Sequence, residues 1–114
     1  MIRLLAFALV AGCAANAMPI EDYPCPPQGT QLTYESFGRA FMAEHCDQCH
    51  SAGEGHRHGA PESYRFDTLA DVRTHKDRVF VRAAASNTTM PPGVDDPSVE
   101  ARELLAEWLA CGAP

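Results

Sequence analysis

The sequence from Glu44 to Pro61 reads EHCDQCHSAGEGHRHGAP, and it places two cysteines and four histidines within eighteen residues. Three kinds of chemistry use such side chains: a zinc site, a redox-active pair of thiols, and the covalent attachment of a haem. The spacing of these residues decides among the three. It also decides what fills the core, and therefore the fold.

Zinc and thiol chemistry are the weaker interpretations of this stretch. Cys46, Cys49, His56 and His58 could supply four zinc ligands, but the histidines are one residue apart, where zinc fingers separate them by three to five. A thioredoxin-like thiol pair is expected after a strand in an α/β protein, whereas this C-x-x-C closes a predicted helix. Both alternatives are therefore disfavoured.

The segment Cys46-Asp47-Gln48-Cys49-His50 is C-x-x-C-H, the attachment signature of c-type haem. Two cysteines at this spacing can add across the two vinyl groups of one haem, and the histidine that follows is held beneath the iron as an axial ligand. The motif occurs once, so the sequence predicts one covalently bound haem c.

The other face of such an iron needs a second ligand or an open position. Among the four methionines, Met90 alone lies well beyond the motif, forty residues after His50, and two prolines follow it. Most methionines fill gaps in a core, but a polar loop offers little core to fill. We therefore expect the Met90 thioether to be the second axial ligand, which would raise the reduction potential.

The remaining histidines are weaker ligand candidates. His75 lies among charged residues and is expected at a solvated helix position. His45, His56 and His58 are expected at the surface or at a haem edge, with His56 and His58 open to adventitious metal.

The amino terminus predicts export. Residues 1–17, MIRLLAFALVAGCAANA, have one basic residue, an apolar run and then small residues, as a signal peptide does. Cleavage after Ala17 would remove residues 1–17. Cleavage before Cys13, in a lipobox-like sequence, would remove residues 1–12 and make Cys13 a lipidated amino terminus. We expect a periplasmic protein that contacts a membrane only through such an anchor.

The charge restricts the partners. The chain has a formal net charge of −6, and removal of Arg3 leaves 8 basic and 15 acidic residues, a net charge of −7. Nucleic acids and anionic lipid surfaces would repel such a protein. We expect a monomer whose redox partner proteins present a basic docking patch.

Export also bears on the other cysteines, because disulfides persist outside the cytoplasm. Once Cys13 is set aside and the C-x-x-C-H cysteines have one shared purpose, Cys25 and Cys111 remain to pair with each other.

The local patterns predict an all-α domain over residues 33–114, preceded by an extended leader over residues 18–32. No segment alternates as a strand does. The predicted elements are a helix from Thr33 as N-cap to about Cys46, a loop from Ser51 to Arg65, a short helix capped at Thr68, a helix over 77–85, a loop over 87–95, and a last helix with Asp96 as N-cap and Pro97 at its first position, ended by Gly112.

The C-x-x-C-H and the later Met-Pro resemble the class I monohaem cytochromes c, over roughly Thr33 to Gly112. The resemblance implies a cytochrome c fold, in which the first and last helices pack together beside one haem with long loops around it. It further implies that Gly38 packs against Trp108, and that the backbone carbonyl of Pro61 accepts a hydrogen bond from the proximal His50.

The function expected from these observations is electron transfer by a carrier, without catalysis. Arg57 and Arg65 are candidates to neutralise a haem propionate. The alternative is a haem subunit of a redox enzyme, or a small-ligand sensor in which the distal position is open.

Overall fold

A computed structural model describes residues 16–93 and 97–114 of the chain. Within them the structure is helical and contains no strand, which confirms the all-α prediction. The elements are a 3-10 turn (Ile20–Asp22), a π-helical turn (Tyr34–Gly38) that leads into α1 (Arg39–His45), then α2 (Asp47–His50), α3 (Leu69–Thr74), α4 (Lys76–Ala83) and α5 (Val99–Ala110). Cys13 and the predicted apolar run lie outside the described residues, so both cleavage predictions stay predictions.

Two predicted helix starts are confirmed by reciprocal side-chain caps. The hydroxyl of Thr33 accepts from the backbone N–H of Ser36 at 3.0 Å, and the Ser36 hydroxyl accepts from the N–H of Thr33 at 3.0 Å. Thr68 and Asp71 form the same arrangement at 3.1 and 3.0 Å. Each cap satisfies backbone donors that have no partner within the helix.

The predicted end of the first helix at about Cys46 is confirmed, because α1 ends at His45 with Cys46 as its C-cap. The backbone bends at Cys46, where φ is −122°, and α2 follows at once. The N–H of His50 donates to the carbonyl of Cys46 at 3.0 Å. The C-x-x-C-H motif is therefore one helical turn, and residues three apart on such a turn share a face.

The start of the last helix was predicted wrongly. Its N-cap is Ser98, whose hydroxyl accepts from the N–H of Ala101 at 3.1 Å, so Pro97 precedes the helix instead of opening it. Serine caps a helix as well as aspartate does, and Asp96 itself lies outside the described residues. The predicted end is confirmed, because Gly112 follows α5 with a left-handed φ of 91°.

Gly38 packs directly against the Trp108 ring of α5. A Cβ atom at position 38 would overlap the Trp108 ring atoms Cη2 and Cζ2. Phe37 meets the same indole edge-on, with ring centroids 5.9 Å apart, and Tyr34 stacks on it at 6.4 Å. The contact that the resemblance implied is confirmed, and only glycine fits there without displacing the indole.

Residues 18–32, predicted as an extended leader, pack on the helical core. The backbone N–H and carbonyl of Met18 pair with the side-chain amide of Asn87, both at 2.9 Å. Asn87 is buried and donates further to the carbonyl of Phe80 at 3.0 Å. The amide thereby joins the leader to α4.

The leader is also fixed to α5. Cys25 and Cys111 form a disulfide, which confirms the predicted pairing. Tyr23 donates from its hydroxyl to Glu103 at 2.8 Å, and Thr30 donates to Glu107 at 2.6 Å. Three points of the leader therefore contact successive turns of one helix.

Candidate functional site

A cavity of about 330 Å³ opens beside α2 and α4. Its volume lies in the range typical of small-molecule and cofactor sites. Three stretches of chain line it: the end of α1 with α2, the loop over residues 57–66, and α4 with residues 90–92. Every predicted residue of the haem site borders it, namely Cys46, Cys49, His50, Pro61 and Met90.

His50 is held in one orientation and one tautomer. Its Nδ1 lies 2.6 Å from the carbonyl oxygen of Tyr64, and its ring packs against Phe66 with centroids 4.8 Å apart. A carbonyl can only accept a hydrogen bond, so Nδ1 must carry the proton. In the neutral ring Nε2 then has the lone pair that a metal-ligating imidazole requires.

The predicted role of Pro61 was wrong, because Tyr64 supplies the carbonyl that fixes His50. The carbonyl of Pro61 accepts from the backbone N–H of Tyr64 at 3.0 Å, closing a turn, and from Nη2 of Arg57 at 2.9 Å. The carbonyl of Tyr64, the last residue of that turn, lies against the imidazole instead. Pro61 still lines the cavity.

The backbone of Met90 is held from both sides at the cavity. Its N–H donates to the carbonyl of Arg82 at 2.8 Å, and its carbonyl accepts from Nη1 of Arg102 at 2.8 Å. Met90 borders the cavity and is 40% exposed. The main chain of Met90 is thus fixed at the border of the cavity.

Arg102 is the functional residue that the sequence predictions missed. It is only 5% exposed, and Nη1 also donates to the carbonyls of Ala83 at 2.8 Å and Asn87 at 3.2 Å. A signal was present, since Arg102 occupies the same helical stripe as Leu105, Ala106 and Leu109. An arginine in an apolar stripe indicates a buried guanidinium with acceptors around it.

Arg57 organises the loop on the opposite side of the cavity. Its guanidinium donates to the carbonyls of Ser51 at 2.6 Å, Ala60 at 3.2 Å and Pro61 at 2.9 Å. Its donors therefore bind backbone carbonyls. The partner suggested by the sequence was a haem propionate. Arg65, the other arginine suggested for that role, is exposed and does not line the cavity.

Two further arginines of α4 border the cavity with their donors unused. Arg78 and Arg82 are four residues apart, and neither guanidinium has a hydrogen bond or ion pair within residues 16–93 and 97–114. Among the described residues, no aspartate or glutamate lines the cavity. The lining is thus mostly apolar, and none of its three arginines, Arg57, Arg78 and Arg82, is paired with a carboxylate in the described residues.

Two carboxyl groups interact at the C-x-x-C-H turn, that of Asp47 within the turn and that of Asp67 from outside it. Asp67 accepts from the hydroxyl of Ser51 at 2.6 Å and from the N–H of Ala52 at 2.9 Å, and these hydrogen bonds lower its pKa. Burial raises the pKa of Asp47, and the negative charge of Asp67 raises it further. One Asp47 oxygen is buried with no hydrogen-bond partner in the described parts of the chain. The hydrogen bonds of Asp67 hold Ser51 and Ala52, the two residues that follow His50.

The other histidines differ from one another in environment. His45 packs on Phe41 with ring centroids 4.7 Å apart and borders the cavity, and His75 packs on Tyr64 at 4.8 Å. The predicted solvated position of His75 is corrected, because its ring is half-buried among aromatic residues. His56 and His58 are exposed, as the sequence suggested.

Comparison with protein-family models, with curated proteins and with solved structures finds no match to this chain. Within residues 16–93 and 97–114, no group of three or more His, Cys, Asp or Glu side chains is placed to hold a metal ion. No helix among those residues is long and apolar enough to cross a membrane. The arguments about function therefore rest on the geometry of this cavity.

Proposed function

We propose that this protein is an exported electron carrier with one haem c. Cys46 and Cys49 would form the two thioether bonds, and His50 and Met90 would be the axial ligands of the iron. The observation that carries the proposal is that one cavity brings Met90 to the C-x-x-C-H turn across forty residues of sequence.

The donor set fits this cofactor. Cys46 and Cys49 lie on one helical turn and are thiols outside the disulfide. The tautomer of His50 leaves Nε2 able to bind iron. A thioether opposite an imidazole gives a six-coordinate, low-spin iron suited to electron transfer.

The charges around the cavity fit as well. Haem carries two carboxylates on an otherwise apolar ring, and this lining is apolar with Arg78 and Arg82 unpaired at one edge. Guanidinium groups form strong charge-assisted hydrogen bonds with carboxylates. We therefore assign the two propionates to these arginines of α4.

The residues of the chain orient the cofactor and tune it. Bound haem supplies the one-electron chemistry. The Tyr64 carbonyl holds the imidazole of His50 and makes it a better electron donor to a metal. Arg102 and Arg82 fix the backbone of Met90, so that few conformations must be lost when its sulfur binds.

The finer fold assignment belongs to the same proposal. We infer a class I cytochrome c fold from the helical architecture together with the contact between Gly38 and Trp108. The disulfide supports export, because such bonds persist in oxidising compartments. We propose a monomer that docks through its acidic outer surface on partners with a basic patch, with lipidation at Cys13 as its membrane anchor.

The test is expression of the full chain in a bacterial host that assembles c-type cytochromes. We expect the mass of the purified protein to increase by one haem, and the increase to be lost when Cys46 and Cys49 are both changed to Ser. The ferric protein should show a sulfur-to-iron band near the red end of the spectrum. That band should disappear in Met90→Ala and remain in Met18→Ala, which changes a methionine outside the cavity.

A chain without covalent haem in that host would overturn the proposal. A haem-loaded protein with a high-spin spectrum that changes with carbon monoxide would overturn the carrier function alone. That second result would favour the haem subunit or ligand sensor with an open distal position.

A further inference from the structure

His56 and His58 form an exposed pair of imidazoles beside the cavity. Their ring centroids are 4.3 Å apart and the ring planes are inclined by 75°. We propose that these two side chains bind one divalent transition-metal ion, with water completing its coordination. Neither histidine belongs to the proposed haem ligands, although His58 also lines the cavity.

The distance between the rings suits a shared ion. Two imidazole nitrogens that each lie about 2 Å from one metal ion are themselves about 3 Å apart. Ring centroids 4.3 Å apart are compatible with two nitrogens at that separation once the side chains turn toward a common ion.

The backbone between the two histidines is held in place. Arg57, the residue between them, donates to the carbonyls of Ser51, Ala60 and Pro61. His58 itself has a left-handed φ of 50°, which turns the chain at the second ligand. Because the loop is ordered before the ion arrives, binding costs less conformational entropy.

No other polar group engages these imidazoles. Across the described ranges 16–93 and 97–114, neither side chain has a hydrogen bond or an ion pair. The carboxylate of Glu54 accepts from the backbone N–H of His56 at 3.4 Å. The described residues offer no third metal ligand, so the site consists of two nitrogens and solvent.

The ligand type selects the class of ion. Neutral imidazole suits copper, zinc and nickel, whereas magnesium and calcium require oxygen ligands. Among divalent ions of the first transition row, copper binds a given nitrogen site most tightly. We therefore expect Cu²⁺ to bind more tightly than Zn²⁺ or Ni²⁺, and Mg²⁺ not to bind.

The experiment uses the full chain without a histidine tag, with any thiols not joined to haem alkylated. Cu²⁺ is titrated by calorimetry, and the bound ion is examined by electron paramagnetic resonance. We expect one Cu²⁺ per chain with two coordinated nitrogens. His56→Gln and His58→Gln should each weaken binding about tenfold or more, while the control His75→Gln should leave it unchanged.

The loop is tested by Arg57→Lys, which keeps the charge but loses the planar fork whose Nε, Nη1 and Nη2 each reach a different carbonyl. We expect Cu²⁺ to bind several-fold more weakly to this variant, and unchanged affinity would overturn the role of the ordered loop. Equal affinity of the wild type and the His56→Gln/His58→Gln double variant would show an adventitious ion only, and would overturn the site.

Discussion

Two sides of the molecule differ in how they are built. The helix-crossing side consists of the contact between Gly38 and Trp108 together with the disulfide. The cavity side consists of α2, the loop over residues 57–66 and Met90. On the helix-crossing side, Trp108, Leu105 and Leu109 are fully buried. On the cavity side, Met90 is 40% exposed and borders the cavity. The chain closes one side with its own apolar groups and leaves the other side open.

The two sides are also stabilised by different interactions. The helix-crossing side depends on close packing and one covalent bond. The loops of the cavity side are held by two arginines that together bind six backbone carbonyls, three from Arg57 and three from Arg102. A domain of this size buries little apolar surface. In its loops, hydrogen bonds from guanidinium groups hold backbone carbonyls that helices and strands would otherwise bind.

The largest expected effect is on the helix-crossing side, from removal of the disulfide. The bond joins residues 86 apart in sequence, and closing so long a loop stabilises a fold by at most about 4 to 5 kcal/mol. We expect Cys25→Ser/Cys111→Ser to lower the free energy of unfolding toward that limit, measured by denaturant titration. Wild type kept under reducing conditions is the matched comparison, and a loss below about 1 kcal/mol would contradict the expectation.

The next effect is on the cavity side. Arg102→Met keeps much of the side-chain volume but leaves the carbonyls of Ala83, Asn87 and Met90 without their charged donor. We expect a loss of about 3 kcal/mol in unfolding free energy and faster hydrogen exchange at the Met90 amide. Arg65→Met, which removes an exposed arginine that does not line the cavity, should change both by little, and equal effects in the two variants would show that Arg102 does not hold the loop.

A smaller effect with an informative sign is expected from Gly38→Ala. In an open helix this change stabilises by about 1 kcal/mol. Here the added methyl group would overlap the buried Trp108 ring, and we expect a destabilisation of about 1 to 3 kcal/mol. Gly55→Ala, where a Cβ would meet no atom within 4 Å, is the control, and a stabilised Gly38→Ala protein would show that the helices can separate at no cost.

The smallest effect concerns the leader. Burial raises the pKa of Tyr23 to about 12, and the adjacent Glu103 and Glu107 contribute. Because the folded value lies above the ordinary value of about 10, stability from this group is present below pH 10 and is lost as pH rises from 10 to 12. Absorbance titration should show one late tyrosine that Tyr23→Phe removes and Tyr34→Phe does not, and a late tyrosine retained in Tyr23→Phe would place the shift elsewhere.

The candidate site could be predicted in part because its signals are local. The C-x-x-C-H spacing singled out Cys46, Cys49 and His50, and the prolines after Met90 singled out that methionine. The partner of His50 could not be obtained in this way. Which carbonyl reaches Nδ1 depends on the turn from Pro61 to Tyr64, and that turn is fixed by Arg57.

The sequence by itself determined the helical class, the caps at Thr33 and Thr68, and the pairing of Cys25 with Cys111, because local spacing and the exclusion of other roles specify them. Only the tertiary structure decided that Arg102 holds Met90, that Tyr64 replaces Pro61 beside His50, and that Ser98 begins α5. Those choices depend on which backbone carbonyls and donors are close in space, and hydrogen bonds between distant segments leave no fixed spacing in a sequence.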